Sequence, residues 1–131
     1  MTSILPKGSP APKEYFTGNV WLNLVVNPED KLNSVIAKVT FEPKGRTNWH
    51  THPHGQILIV TEGVGYYQEK GKTMQLIKQG DVIKIPVDIE HWHGGAHNTG
   101  MTHIAIVPTD KTGSIWMNPV TDAEYNAVVP T

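Results

Sequence analysis

Cysteine is absent from this chain, which closes off both a disulfide framework and thiolate ligation of zinc. Any metal it binds must sit on nitrogen and oxygen donors. An excess of charge of either sign is missing too: 11 Lys and Arg stand against 12 Asp and Glu, for a formal net charge of -1. That balance leaves no electrostatic footprint for nucleic acid or an anionic membrane, so neither is expected as a partner. Long hydrophobic runs are lacking; no stretch approaches the ~18 apolar residues of a membrane span. The stretch from Met1 to Pro10 has neither the charged nor the apolar region of a secretory signal. A soluble, cytoplasmic protein is the expectation.

Turn formers, by contrast, are plentiful. With 12 Gly and 10 Pro in 131 residues, the chain is punctuated often, and its length suits a single domain spanning 1–131. Met1 to Lys13, rich in Pro, Gly and Ser, is expected to run as an extended arm. Short runs of β character follow at Val20 to Val26, Ser34 to Phe41, Gln56 to Thr61, Gly65 to Glu69, Thr73 to Ile77, Asp81 to Ile85 and Met101 to Val107. Many short strands without helices between them predict an all-β sandwich or barrel. Thr121 followed by Glu124 forms a capping box and predicts a short helix from Asp122 to about Val128.

Histidine is the residue that carries chemistry here. All seven fall between His50 and His103, and two clusters, His50-Thr51-His52 and His91-Trp92-His93, have His at i and i+2. On an extended strand such a pair projects to one face, so each can aim two imidazoles into one cavity. Neutral imidazole is a common metal ligand, and the pattern predicts a divalent transition-metal centre of three or four His with the Gln56 amide oxygen. Gln56 could instead orient a His ligand from outside the coordination sphere. His93 shares a face with His91 and is either a further ligand or an acid/base beside the metal. His103 shares a face with Ala105 and Val107 and is expected inside. His54, between Pro53 and Gly55, and His97 are expected at the surface. Trp49 and Trp92 should face away from the metal into packing. Phe41, Ile57, Ile59, Ile85 and Ile104 are expected in barrel packing or pocket lining. Thr47 and Thr109 are available as hydroxyl donors.

The first cluster reads Gly-x4-His-x-His-x3-Gln-x6-Gly over residues 45–63, and the second, over 80–97, begins Gly-x5-Pro-x4-His-x-His. Together they resemble the two motifs of the cupins, which implies a single-domain jelly-roll β-barrel with the metal inside. The fourth ligand in that pattern is usually Glu, and here Gln56 stands in its place. A neutral shell leaves the full dipositive charge on the site, favouring Lewis-acid chemistry and small anions. Stretches 46–53, 90–94 and 101–105, with Val120-Thr121-Asp122-x-Glu124-Tyr125, are similar to small bacterial cupins that include manganese-dependent hydroxynitrile lyases. That resemblance implies metal ligands at His50, His52, Gln56 and His91, with His93 and His103 lining the pocket beside the metal, where one or the other is expected to serve as the catalytic acid/base. Manganese is favoured; iron, zinc and nickel are the other candidates.

The implied activity is a lyase acting on a small cyanohydrin. A sugar-acid isomerase, an oxygen-dependent cupin enzyme and a non-catalytic small-ligand-binding cupin are the alternatives. The arm and the strand at Trp21 suggest exchange of an edge strand with another subunit, and small cupins of this kind are commonly dimers or tetramers. A homodimer or homotetramer binding a small-molecule substrate is expected.

Overall fold

A computed structural model describes residues 5–108 and 114–127. The sequence expectations for residues 1–4 of the arm, for Thr109 and for Val128 lie outside them. The strands, in chain order, are β1 (Ser9–Pro10), β2 (Phe16–Thr17), β3 (Val20–Val26), β4 (Ser34–Phe41), β5 (Arg46–Thr47), β6 (His50–Thr51) and β7 (Gln56–Glu69). They continue with β8 (Gln75–Lys78), β9 (Val82–Ile85), β10 (His91–Gly95), β11 (Met101–Pro108) and β12 (Ile115–Trp116), and α1 (Asp122–Ala127) ends the described chain.

All the pairings are antiparallel. One layer runs β1-β3-β4-β11 and on to the first half of β7, which is flanked by β9; the other gathers β2, β5, β6, β8, β10 and β12 on the second half of β7. The result is all-β, as the short runs predict, and has the jelly-roll architecture that the motif resemblance implies, with an extended N-terminal arm and a short C-terminal helix. Within the described part of the arm, Ser9 and Pro10 pair with Leu22 and Trp21 of β3 in the same chain.

β7 is one strand where the sequence suggests two. Gly63, at φ 75, takes a left-handed conformation that an L side chain resists, and its missing Cβ leaves room for the Gly100 carbonyl. The strand therefore turns from one layer to the other, slipping register against β11 just before Gly63 and taking β10 and β8 as partners beyond it.

Parity along β7 sorts its side chains. Gln56, Leu58 and Val60 are buried, while Ile57 and Ile59, at 37% and 36% exposure, face outward. Ile57 and Ile59 thus depart from the expected packing or lining role, because Gln56 commits the even positions to the interior. Ile104 pairs with Ile59 and is only half-buried, whereas Phe41 and Ile85 lie in the main core as expected.

A second apolar cluster packs Trp49, Tyr66, Trp92, Ala96, Val120 and Tyr125 on the opposite face of β10. α1 closes that face. Its capping box forms as the sequence predicts, Glu124 N–H donating to Thr121 Oγ1 at 3.1 Å and Thr121 N–H to Glu124 Oε1 at 3.0 Å. No helix among the described residues is long and apolar enough to cross a membrane.

Candidate metal centre

β6 and β10 lie side by side with His50 directly opposite His91, so the two His-x-His pairs meet across one ladder. On β10 the alternation puts His91 and His93 on the inner face and Trp92 on the outer one, where its Nε1–H donates to Gln68 Oε1 at 2.9 Å. After His52 the chain turns through Pro53, His54 and Gly55, the Gly55 N–H donating to the His52 carbonyl at 3.1 Å, and enters β7 with Gln56 pointing inward. His54 is left exposed on the bend, as expected.

The described structure brings all six expected site residues, His50, His52, Gln56, His91, His93 and His103, into one buried region. Ring centroids are 4.2 Å apart for His50 and His91, 4.8 Å for His50 and His52, and 5.3 Å for His52 and His91. One ring nitrogen from each of His50, His91 and His93 lies within 4.8 Å of the others, and these three side chains could hold a metal ion. Sequence reasoning puts His52 in that first group and His93 at its edge. In the folded chain His93 takes the place in that group expected of His52, while His52 and Gln56 line the adjoining cavity.

The hydrogen bonds divide the rings into two kinds. His50 and His91 each set Nδ1 against the carbonyl two residues earlier, Asn48 at 2.9 Å and Ile89 at 2.8 Å. A carbonyl only accepts, so Nδ1 carries the hydrogen and Nε2 keeps a lone pair. His52 Nδ1 lies 3.0 Å from Ser114 Oγ. His93 differs: its Nδ1 is 3.0 Å from His103 Nε2, so these two rings share one proton position.

What remains is a set of buried atoms without partners among the described residues: His52 Nε2, Gln56 Oε1, His91 Nε2, His93 Nε2 and His103 Nδ1. Each unsatisfied buried polar atom costs roughly 1–3 kcal/mol, and the grouped ring nitrogens of His50, His91 and His93 offer a cation a place among them. The donors are nitrogen and amide oxygen, a neutral set suited to a divalent transition metal. Burial first, then the neighbouring rings, holds His50 and His93 well below the usual imidazole range. His52, His91 and His103 are pulled down to about 4, chiefly by burial. All five are therefore neutral near pH 7, the form that ligates metals and accepts protons.

Beside the rings lies a cavity of about 220 Å³. Its far wall is aliphatic, with Leu22, Val35, Ala37, Val39, Ala105 and Val107, and Leu24, 46% exposed, marks the open end. Tyr15, Phe16 and Trp116 close another side, and no Lys, Arg, Asp or Glu is among the described lining residues. Thr47 lines the cavity and accepts the His93 N–H at 3.3 Å.

Trp116, which sequence reasoning does not single out, stacks on His50 at 4.6 Å and on Tyr15 at 4.6 Å. Its strand is two residues long, too short for a periodic signal. Trp49 and Trp92 face away from the site as expected. His97, expected at the surface, is instead half-buried between Tyr66 Oη at 2.8 Å and Asn126 Oδ1 at 3.0 Å, because α1 folds over it.

Comparison with known proteins agrees with this geometry. The chain is 44% identical over 115 residues to an (R)-mandelonitrile lyase of Granulicella tundricola, covering 87% of this chain and 88% of that one. A cupin-like protein of Thermotoga maritima, known by crystal structure, superposes with a TM-score of 0.91 at 43% identity, covering 97% of each chain. A predicted oxalate decarboxylase of Thermotoga maritima shares the fold alone, with a TM-score of 0.69 at 20% identity over 89% of this chain and all of its own. The sequence model of the cupin domain matches residues 37–107, more than half of the chain, and this protein belongs to the cupin family.

Proposed function

We propose that this cupin is a metal-dependent lyase of the hydroxynitrile-lyase kind, cleaving and forming small cyanohydrins with an uncharged, apolar substituent. The observation that carries this reading is a set of buried, unpartnered polar atoms whose His52, Gln56, His93 and His103 members line a cavity otherwise apolar but for His50, Thr47 and Ser114. Kinship to a mandelonitrile lyase supports it.

His50, His52, Gln56 and His91 are the proposed metal ligands. Each of the three rings has its Nδ1 held by a fixed group of the protein, leaving Nε2 for a cation. Manganese is the favoured ion. When bound, such an ion acts as a Lewis acid that eases loss of a hydroxyl proton and attracts an anionic leaving group.

His93 is the proposed acid/base, because its Nδ1 is tied to another titratable ring and not to a fixed group. Its Nε2 takes the substrate hydroxyl proton while Nδ1–H donates to His103, which steadies the charge. As the carbonyl forms, the bond to the nitrile carbon breaks with its electron pair on cyanide, and His93 returns the proton to give hydrogen cyanide. A histidine held below its usual range gives that proton up readily. The aliphatic wall receives the hydrocarbon part of the substrate and excludes water.

The lack of any Lys or Arg among the described lining residues weighs against a uronate substrate, whose carboxylate would need a cation. The chain is proposed to work in the cytoplasm. Elemental analysis of purified protein and a mandelonitrile assay test the reading together: about one divalent ion per chain and metal-dependent release of benzaldehyde are expected. Benzaldehyde release no faster than with stripped protein would overturn it. Ligand retention without turnover would favour the binding-module alternative.

A further inference from the structure

His52 is held differently from the other two proposed ligand rings. The Nδ1 atoms of His50 and His91 meet main-chain carbonyls of the residues just before their strands, Asn48 and Ile89, so the backbone that places each ring also fixes its tautomer. The atom facing His52 Nδ1, at 3.0 Å, is the Ser114 hydroxyl, from a segment 62 residues further along the chain.

A hydroxyl can donate or accept, and the rest of the ring decides which. His52 Nε2 is buried without a partner. A hydrogen there has only the Gln56 side chain to receive it, and would occupy the lone pair that a cation needs. A hydrogen on Nδ1 is accepted by Ser114 Oγ and leaves the Nε2 lone pair toward the cavity, beside Gln56 Oε1, itself unpartnered.

We propose that Ser114 is a positioning residue that holds His52 in the tautomer and orientation needed to bind a cation. This rests on the metal-centre reading above and adds to it a dependence on the segment leading into β12. The same segment braces a second ring. Ile115 and Trp116 pair with Thr51 and His50, and the Trp116 indole stacks on His50 at 4.6 Å with 28° between planes. Two ligand rings from β6 and its following turn are thus set by three consecutive residues, Ser114 to Trp116.

The test is metal affinity together with ring state. Stripped wild type, Ser114→Ala, Ser114→Thr and His52→Ala are titrated with Mn²⁺ at pH 7.5, free ion being followed by its electron paramagnetic resonance signal. Outer partners of metal-binding histidines typically govern affinity by 10–100-fold. Ser114→Ala is expected to weaken Mn²⁺ binding by about that factor, with Ser114→Thr close to wild type and circular dichroism of the stripped proteins unchanged. Ser114→Ala binding as tightly as wild type overturns the proposal while leaving the metal centre standing. Failure of wild type to bind Mn²⁺ or Zn²⁺ overturns the metal reading and this inference with it. Nitrogen NMR of the stripped wild type gives a second readout that survives a misfolded variant: His52 should be the Nδ1–H tautomer, and the Nε2–H tautomer would refute the role of Ser114.

Discussion

At the scale of single residues, the site separates histidines by what their second nitrogen touches. A ring whose Nδ1 is anchored by a carbonyl or hydroxyl can serve as a fixed ligand; a ring hydrogen-bonded to another imidazole can move a proton. His52→Ala is therefore expected to lose the metal, and His93→Ala to keep it while kcat falls by roughly 10²–10⁴-fold, the usual worth of a positioned acid/base. Metal analysis and mandelonitrile kinetics on the two variants decide this, and the reverse pattern would exchange the roles of His52 and His93. Gln56 offers a charge test. Gln56→Glu should bind Mn²⁺ more tightly yet turn over more slowly, since a carboxylate cancels one positive charge that the departing anion needs; faster turnover would remove the neutral shell from the mechanism. Of the six residues brought together, His50, His52, His91 and His93 were legible from their His-x-His spacing, His103 from its parity with Ala105 and Val107, and Gln56 from its spacing after His52 and the cupin resemblance. Ser114 and Trp116 were not, since their partners His52 and His50 lie more than 60 residues away and neither belongs to a local pattern.

At the scale of elements, local chemistry predicted more than strand boundaries did. The Thr121 and Glu124 capping box named the start of α1 correctly because both of its hydrogen bonds are local. Thr121→Ala should cost about 1 kcal/mol, the usual worth of a helix cap. Through the docking of Tyr125 and Val120, that loss should appear as a lower urea midpoint at unchanged metal content; an unaltered midpoint would show that α1 adds little to the fold. The Gly63 bend was not legible, since glycine in a strand pattern reads equally well as a break. Its contact with Gly100, 37 positions on, and the handover from β11 to β10 mark it as a bend within one strand. Outward Ile57 and Ile59 were misplaced for a related reason: hydrophobicity suggested interior, and the parity set by Gln56 overruled it.

At the scale of the whole molecule, the outer sheet face brings Ile57, Ile59 and Val82 together with half-buried Ile104, an apolar surface beyond scattered single residues. A homodimer or homotetramer remains our proposal for it, and a single-chain mass at micromolar concentration would contradict that. Acid should act on the entire fold through the buried rings. In the unfolded chain these histidines titrate near 6.5, and in the folded one His52, His91 and His103 do so only at about 4. Above 6.5 both states are neutral and stability does not depend on these groups. Between 6.5 and 4 the unfolded state binds more protons, so stability falls as pH falls, and below 4 the loss levels off. A shift of that size amounts to at most about 3 kcal/mol for each ring, and coupling among neighbours makes the sum smaller than three separate losses. The lowered carboxyls of Glu69 and Glu124 add a further loss only below their ordinary value of 4.5. Urea midpoints of the stripped protein should thus be level from pH 8 to 7 and drop clearly by pH 5. Bound metal should raise the midpoint at pH 7.5 and steepen the decline, because protons and the ion compete for the same lone pairs. A midpoint equal at pH 7.5 and 5 would mean that the rings are already hydrated and charged, which would also remove the physical basis for a neutral, ligand-ready centre.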